Sequence, residues 1–117
     1  MRDVRQDASY RVPGRGDPDG SIPERILGVD ALSRVAREAD YLVLTLPRTP
    51  ESRGIVGPAV SAALPATAWL INVSRGGLVD EAALIDTLRS GHLAGAVLDV
   101  VDEEPLPTNH PLWDAPP

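Results

Sequence analysis

The sequence predicts an α/β fold built on a parallel sheet. Three observations point there. Helical and strand-like patterns alternate along residues 28–104. The strand-like runs are short and almost continuously apolar, as in sheets covered on both faces. Each run is set off by a Pro, Gly or Asp with a defined role in turns or helix caps. The pattern yields three strands, or four if the N-terminus adds one. A doubly wound sheet has about six, so the chain reads as half of one.

The elements follow in order. Residues 1–5 are a candidate strand. Residues 13–23, PGRGDPDGSIP, hold three Pro and three Gly and read as a loop. Residues 1–27 are therefore a poorly regular start. Asp30 is placed to N-cap a helix whose Leu32, Val35, Ala36 and Ala39 share one face, at i, i+3, i+4 and i+7. Residues 41–46 form a buried strand stopped by Pro47. Gly57 and Pro58 open a short helix through Ala63, with the proline in its first turn. Residues 68–73 form a second buried strand. Asp80 caps a third helix, with Leu84, Ile85 and Leu88 facing inward. Arg89 suits that helix's C-terminal dipole, and Gly91 its left-handed cap. Residues 93–101 give the third buried strand. Residues 105–117, PLPTNHPLWDAPP, carry five prolines and are expected to be irregular.

Composition narrows the chemistry. The 117 residues carry net charge -6, with two Trp, two Tyr and no Phe, so the core must be aliphatic. Without cysteine there is no disulfide, thiolate zinc site or cysteine nucleophile. The basic residues are eleven arginines and no lysine, which excludes Schiff-base chemistry and a Walker-type phosphate lysine. A pI near 4.7 argues against nonspecific nucleic-acid binding. No apolar run approaches the ~18 residues of a membrane span. MRDVRQDASY lacks the apolar region of a signal peptide. A cytoplasmic protein without nucleic-acid or membrane partners is the expectation.

In open α/β sheets, ligands bind beyond the carboxyl ends of the strands. The informative residues are therefore 46–49, 72–77 and 99–104. The stretch WLINVSRGGLVDEAALIDTLRSGHLAGAVLDVVDEEPLPTNHPLW, residues 69–113, resembles the NAD-binding domain of D-isomer-specific 2-hydroxyacid dehydrogenases. ADYLVLTLPRTPESRGIVG, residues 39–57, resembles the preceding strand and loop of that family. The N-x-x-R-G-G-x-V-D-E and L-D-V-x-x-x-E-P blocks stand in the family's order and spacing, and hydroxypyruvate/glyoxylate reductase-like members are the most similar. The resemblance implies a partial Rossmann-type doubly wound sheet, the C-terminal half of the NAD-binding domain. It makes the whole chain a partial dinucleotide-binding domain: 1–27 an irregular start, 28–104 the βα repeats, 105–117 the tail.

It also implies roles. Arg75 matches the arginine that holds the substrate carboxylate and polarises the 2-oxo group. A planar, permanently charged guanidinium suits both tasks. The plainer alternative is a surface arginine in a salt bridge. Glu104 matches the glutamate that raises the pKa of a histidine general acid by favouring its charged form. Alternatively it is one of three solvated acids, with Asp102 and Glu103. Asp99 matches a cofactor-contacting aspartate near the nicotinamide carboxamide, or else caps a neighbouring turn. Val73 and Ser74 match backbone lining the nicotinamide pocket. Leu46 and Pro47 match the segment on the ribose and diphosphate side. Gly76 and Gly77 are expected to allow close backbone approach or a positive φ.

There are departures from the family pattern. No G-x-G-x-x-G fingerprint follows a strand, since Gly14, Gly16 and Gly20 sit in proline-rich sequence. The family's catalytic histidine is expected beyond Trp113, and neither His92 nor His110 fits it. The implied activity is NAD- or NADP-dependent reduction of a 2-oxo acid, with this chain inactive alone. Arg5 and Asp7 leave the choice between the two cofactors open. The resemblance implies a homodimer for the complete enzyme. The alternatives are a non-catalytic nucleotide-binding or interaction module, or a truncated gene remnant.

Overall fold

The computed structural model describes residues 13, 15–17 and 19–117. The candidate strand over residues 1–5, and Arg5 and Asp7, lie outside them. The chain divides into two compact units, residues 1–32 and 33–117.

In the first unit, the described residues of 13–23 form neither helix nor strand, as expected. Asp17 organises a turn. Its Oδ1 accepts from the Ser21 N–H at 2.8 Å and its Oδ2 from the Ile22 N–H at 3.2 Å. Asp30 does not cap the following helix. It lies inside a 3-10 turn, Val29–Ala31, that runs into α1, Leu32–Glu38. The Asp30 carboxylate folds back against Gly28. The 3-10 turn moves the start of regular structure ahead of the aspartate. Of the expected apolar face only Ala36 is buried, while Val35 is exposed.

In the second unit three strands form one parallel sheet in the order β1-β2-β3: β1 Tyr41–Leu44, β2 Trp69–Asn72 and β3 Gly95–Leu98. Each pairs over four residues, so every expected strand is trimmed at its ends. α2, Pro58–Ala63, joins β1 to β2, and α3, Glu81–Arg89, joins β2 to β3. The capping chemistry holds. Gly57 precedes Pro58 at the start of α2. Asp80 Oδ1 accepts from the Ala83 N–H at 3.0 Å, and Gly91 adopts φ 70° just past α3.

Burial on both faces of the sheet is not what the structure has. Register aligns Leu42, Leu70 and Ala96 in one row and Leu44, Asn72 and Leu98 in the next. Leu42, Leu44, Leu70 and Asn72 are buried. The alternate rows carry Tyr41 and Val43 on β1 and Val97 on β3, which are 66%, 49% and 49% exposed. Strand order explains this. Crossovers of one hand along a sheet that grows in one direction put both connecting helices on the same side. α2 and α3 accordingly pack against each other. Leu64, Leu84, Leu88 and Leu78 complete an aliphatic core. On the open face the Trp69 indole lies across Gly95, where a Cβ would overlap the ring. No described helix is long and apolar enough to cross a membrane.

Candidate functional site

The paired strands end together, so the segments after Leu44, Asn72 and Leu98 meet at one sheet edge. The central one is fixed by Asn72, buried to 2% exposure. Its Oδ1 accepts from the Ser74 N–H at 3.1 Å and from the Ser74 hydroxyl at 2.9 Å. Its Nδ2 donates to the Arg75 carbonyl at 3.0 Å. One amide thus sets the turn that aims Arg75. The Arg75 guanidinium is outside this net except for an Nη1 bond of 2.7 Å to the Ser74 carbonyl.

The two glycines after Arg75 do different work. A Cβ on Gly76 would overlap the Val101 carbonyl, so Gly76 permits close approach of the loop after β3. Gly77 adopts φ 79°, the left-handed region that favours glycine. Its N–H donates to Asp102 Oδ1 at 2.5 Å. The Asp102 N–H donates in turn to Glu81 Oε1 at 2.7 Å, and Glu81 Oε2 lies 3.5 Å from His110 Nε2. His110 Nδ1 accepts from the Leu112 N–H at 3.3 Å, at the start of a short 3-10 turn, Pro111–Asp114. The tail expected to be irregular therefore contains this ordered turn, tied through Glu81 to the Arg75 loop. His92 is elsewhere, with Nε2 3.1 Å from the Ala62 carbonyl in α2.

The loop after β1 is knotted by Ser52, whose hydroxyl accepts from the Thr49 N–H and donates to the Pro47 carbonyl, each at 2.8 Å. The Gly54 N–H donates to the Gly77 carbonyl at 2.8 Å, joining this loop to the one after β2. Beside Ser52, the Thr49 hydroxyl and then Glu51's own backbone N–H hold the Glu51 carboxyl below its ordinary 4.5.

These loops surround an open cleft of about 810 Å³. Leu46, Pro47, Val73, Ser74, Arg75 and Glu104 all line it, together with Arg48, Gly76 and Asp102. Six of the seven residues singled out in the sequence are thus brought together. Asp99 is not among them. It is exposed, its N–H donates to the Asn72 carbonyl at 3.0 Å, and it lines a neighbouring cavity of about 440 Å³ with Leu88, Leu106 and Trp113. Glu104 borders both cavities, and its Oε1 accepts from the Val101 N–H at 3.2 Å. Sequence reasoning passed over Asn72, Glu81, Asp102 and Arg48. Asn72 and Glu81 left a signal, as the first and last residues of the N-x-x-R-G-G-x-V-D-E block, and Arg48 and Asp102 stood without an assigned role in the strand-end segments 46–49 and 99–104.

A family model described as D-isomer specific 2-hydroxyacid dehydrogenase, NAD binding domain, matches residues 15–117. The chain belongs to this family. It is 44% identical over 91 residues to the glyoxylate reductase of Aeropyrum pernix, covering 76% of this chain and 27% of that protein. With glyoxylate/hydroxypyruvate reductase B of Pectobacterium carotovorum it shares 44% over 85 residues, 73% of this chain and 27% of the relative. The crystal structure of a D-isomer specific 2-hydroxyacid dehydrogenase from Xanthobacter autotrophicus, in complex with NADPH and MES, superposes with TM-score 0.70 and 51% identity over 74% of this chain and 28% of that one. The dehydrogenase-family chain described here thus spans little more than a quarter of each relative's length, and the half-sheet expectation agrees with this.

The residues present fit one end of a nicotinamide dinucleotide. Val73 is half exposed and, with Leu46 and Pro47, gives the cleft an apolar wall beside Arg75. Such a wall suits a nicotinamide ring, and the guanidinium suits a carboxylate. Gly16 and Gly20, with φ 82° and 66°, flank the Asp17 turn, with no described strand before it and no helix directly after.

Proposed function

We propose that this chain forms the nicotinamide end and the substrate-carboxylate side of an NAD(P)-dependent oxidoreductase acting on the CH–OH group of 2-hydroxy acids. One observation carries the reading. Arg75 shares a cleft at the carboxyl ends of the strands with an apolar wall, and no carboxylate pairs with it among the described residues. Arg75 grips the substrate carboxylate with its planar fork and stabilises the negative charge that grows on the 2-oxo oxygen. The bound nicotinamide supplies the hydride in reduction. Val73, Leu46 and Pro47 exclude water from the ring's face. Ser74 presents backbone to its edge. Glu104 tunes a histidine proton donor that this chain does not carry. Glyoxylate and hydroxypyruvate are the substrates to try first, because two reductases similar to this chain are named for them. The complete protein is, on this reading, a cytoplasmic homodimer.

The chain alone turns over little or nothing, since general acid–base catalysis is worth roughly 10² to 10⁴ and the diphosphate cradle is also lacking. The test titrates the 117-residue chain with NADH and then follows NADH oxidation with either 2-oxo acid. The expected result is weak saturable binding and negligible turnover. Robust turnover abolished by Arg75→Ala would refute the division of labour proposed here. Complete absence of cofactor binding would refute the nicotinamide assignment.

A further inference from the structure

Arg48 is a second cation in the same cleft. We infer that Arg48 and Arg75 together form a two-guanidinium anion site, selective for a 2-hydroxy or 2-oxo acid that carries a second anionic group. The inference rests on the reading of Arg75 as the carboxylate anchor.

Three observations support it. Arg48 follows β1 and lines the cleft with Arg75. Its stem packs on the loop that carries Arg75. A Cβ built on Gly77 would lie 3.1 Å from Arg48 Cδ and 3.6 Å from its Nη1. Gly77 thus serves Arg48 by lacking a side chain, beyond serving the turn by its positive φ. Ser52, through the Pro47 carbonyl and the Thr49 N–H, holds the backbone on either side of Arg48. The cation is therefore mounted on a fixed loop.

The carboxylates of the cleft point the same way. Two carboxylates line the cleft, and both are turned to backbone donors. Asp102 accepts from Gly77 and Glu104 from Val101. Neither pairs with an arginine among the described residues. Among the described residues, neither guanidinium fork is therefore engaged by a carboxylate. A single arginine suffices for a monocarboxylate, which it takes through two parallel N–H···O bonds. A second one on the adjoining loop offers a further fork to a ligand with two anionic groups. A ligand with a second carboxylate or a phosphate meets both forks, whereas a monoanion meets one.

The test compares glycolate with tartronate, which differs from it by one added carboxylate. Each is titrated into the 117-residue chain at low salt, following the arginine side-chain N–H signals by NMR. Tartronate is expected to bind about tenfold tighter, the scale of one added charge-assisted hydrogen bond at a partly solvated site. Arg48→Gln should remove that preference, bringing the tartronate-to-glycolate affinity ratio close to one. Arg48 is exposed, so the variant is expected to keep the wild-type amide spectrum. Arg75→Gln should weaken both ligands. An unchanged tartronate-to-glycolate ratio in Arg48→Gln overturns the two-arginine site while leaving the Arg75 reading intact. Indifference of both ligands to Arg75→Gln overturns the Arg75 reading, and the paired site falls with it. No saturable binding of either anion removes both.

Discussion

Asn72 is the residue on which the geometry of the cleft depends most. Asn72→Ala deletes three hydrogen bonds of 2.9–3.1 Å: two accepted from Ser74 and one donated to the Arg75 carbonyl. Each is worth about 1 kcal/mol net. The site is 2% exposed and Ser74 is itself buried, so water does not replace the lost partners. The expected loss is about 2–4 kcal/mol, a large share of the roughly 5–15 kcal/mol typical of a whole domain. For a unit of this size that is a fall in Tm of about 10–20 °C. Urea and thermal unfolding of the two proteins read it directly. Asn72→Asp separates the two sides of the amide. It keeps the acceptor for Ser74 but sets a carboxylate oxygen against the Arg75 carbonyl. Burial favours the protonated form of that carboxyl, whose O–H can donate where the amide did. The stability gap between Asn72→Asp and the wild type should therefore narrow as pH falls. A Tm for Asn72→Ala within 2 °C of wild type, about 0.5 kcal/mol, would refute the claim that this amide holds the Arg75 turn.

Other outcomes follow from the same contacts. Gly76→Ala places a methyl on the Val101 carbonyl and must push the loop after β3 away. It is expected to cost about 1–3 kcal/mol and to weaken anion binding in the cleft, both measurable on the purified variant. Ser61, in α2, is buried with its hydroxyl unpartnered among the described residues. Ser61→Ala should stabilise by about 0.5–1 kcal/mol in urea unfolding, since alanine also favours the helix. Glu51 titrates below its ordinary 4.5 in the folded chain. Its contribution is fully present above that pH and is lost as pH falls through the lower folded value. Glu51→Gln should therefore lose less stability on acidification than the wild type, and a steeper acid limb in the variant would contradict the sign. The effect is small because the carboxylate is fully exposed.

Much of the fold was legible because it is local. Asp80, Gly91 and Gly57-Pro58 mark helix ends through contacts within a turn of chain, and the structure has them all. Asp30 failed by the same logic. An aspartate before an apolar stripe is a good cap only if regular structure starts after it, and here a 3-10 turn starts earlier. Burial on both faces could not be judged from apolar runs. The order of the strands and the side taken by the crossovers decide it, and neither is written in a single strand. The cleft was legible as far as it follows strand ends: Leu46, Pro47, Val73, Ser74, Arg75 and Glu104 converge. Arg48, Asp102 and Glu81 escaped because their meaning comes from partners 21–29 residues away in sequence, such as Gly77 for Asp102 and Glu81 for His110. Asn72 escaped for another reason. Its residue type is visible, but its role depends on a buried turn that only the folded chain defines.

The central proposal is that Arg75, which pairs with no carboxylate among the described residues, takes the carboxylate of a 2-oxo acid. The most direct measurement is an NMR titration of the chain with pyruvate, following the Arg75 side-chain N–H signal assigned by Arg75→Gln. A saturable shift of that signal, with Arg89 at the far end of α3 unmoved, is the result expected. A shift shared equally by all the arginines, or none at Arg75, would contradict it.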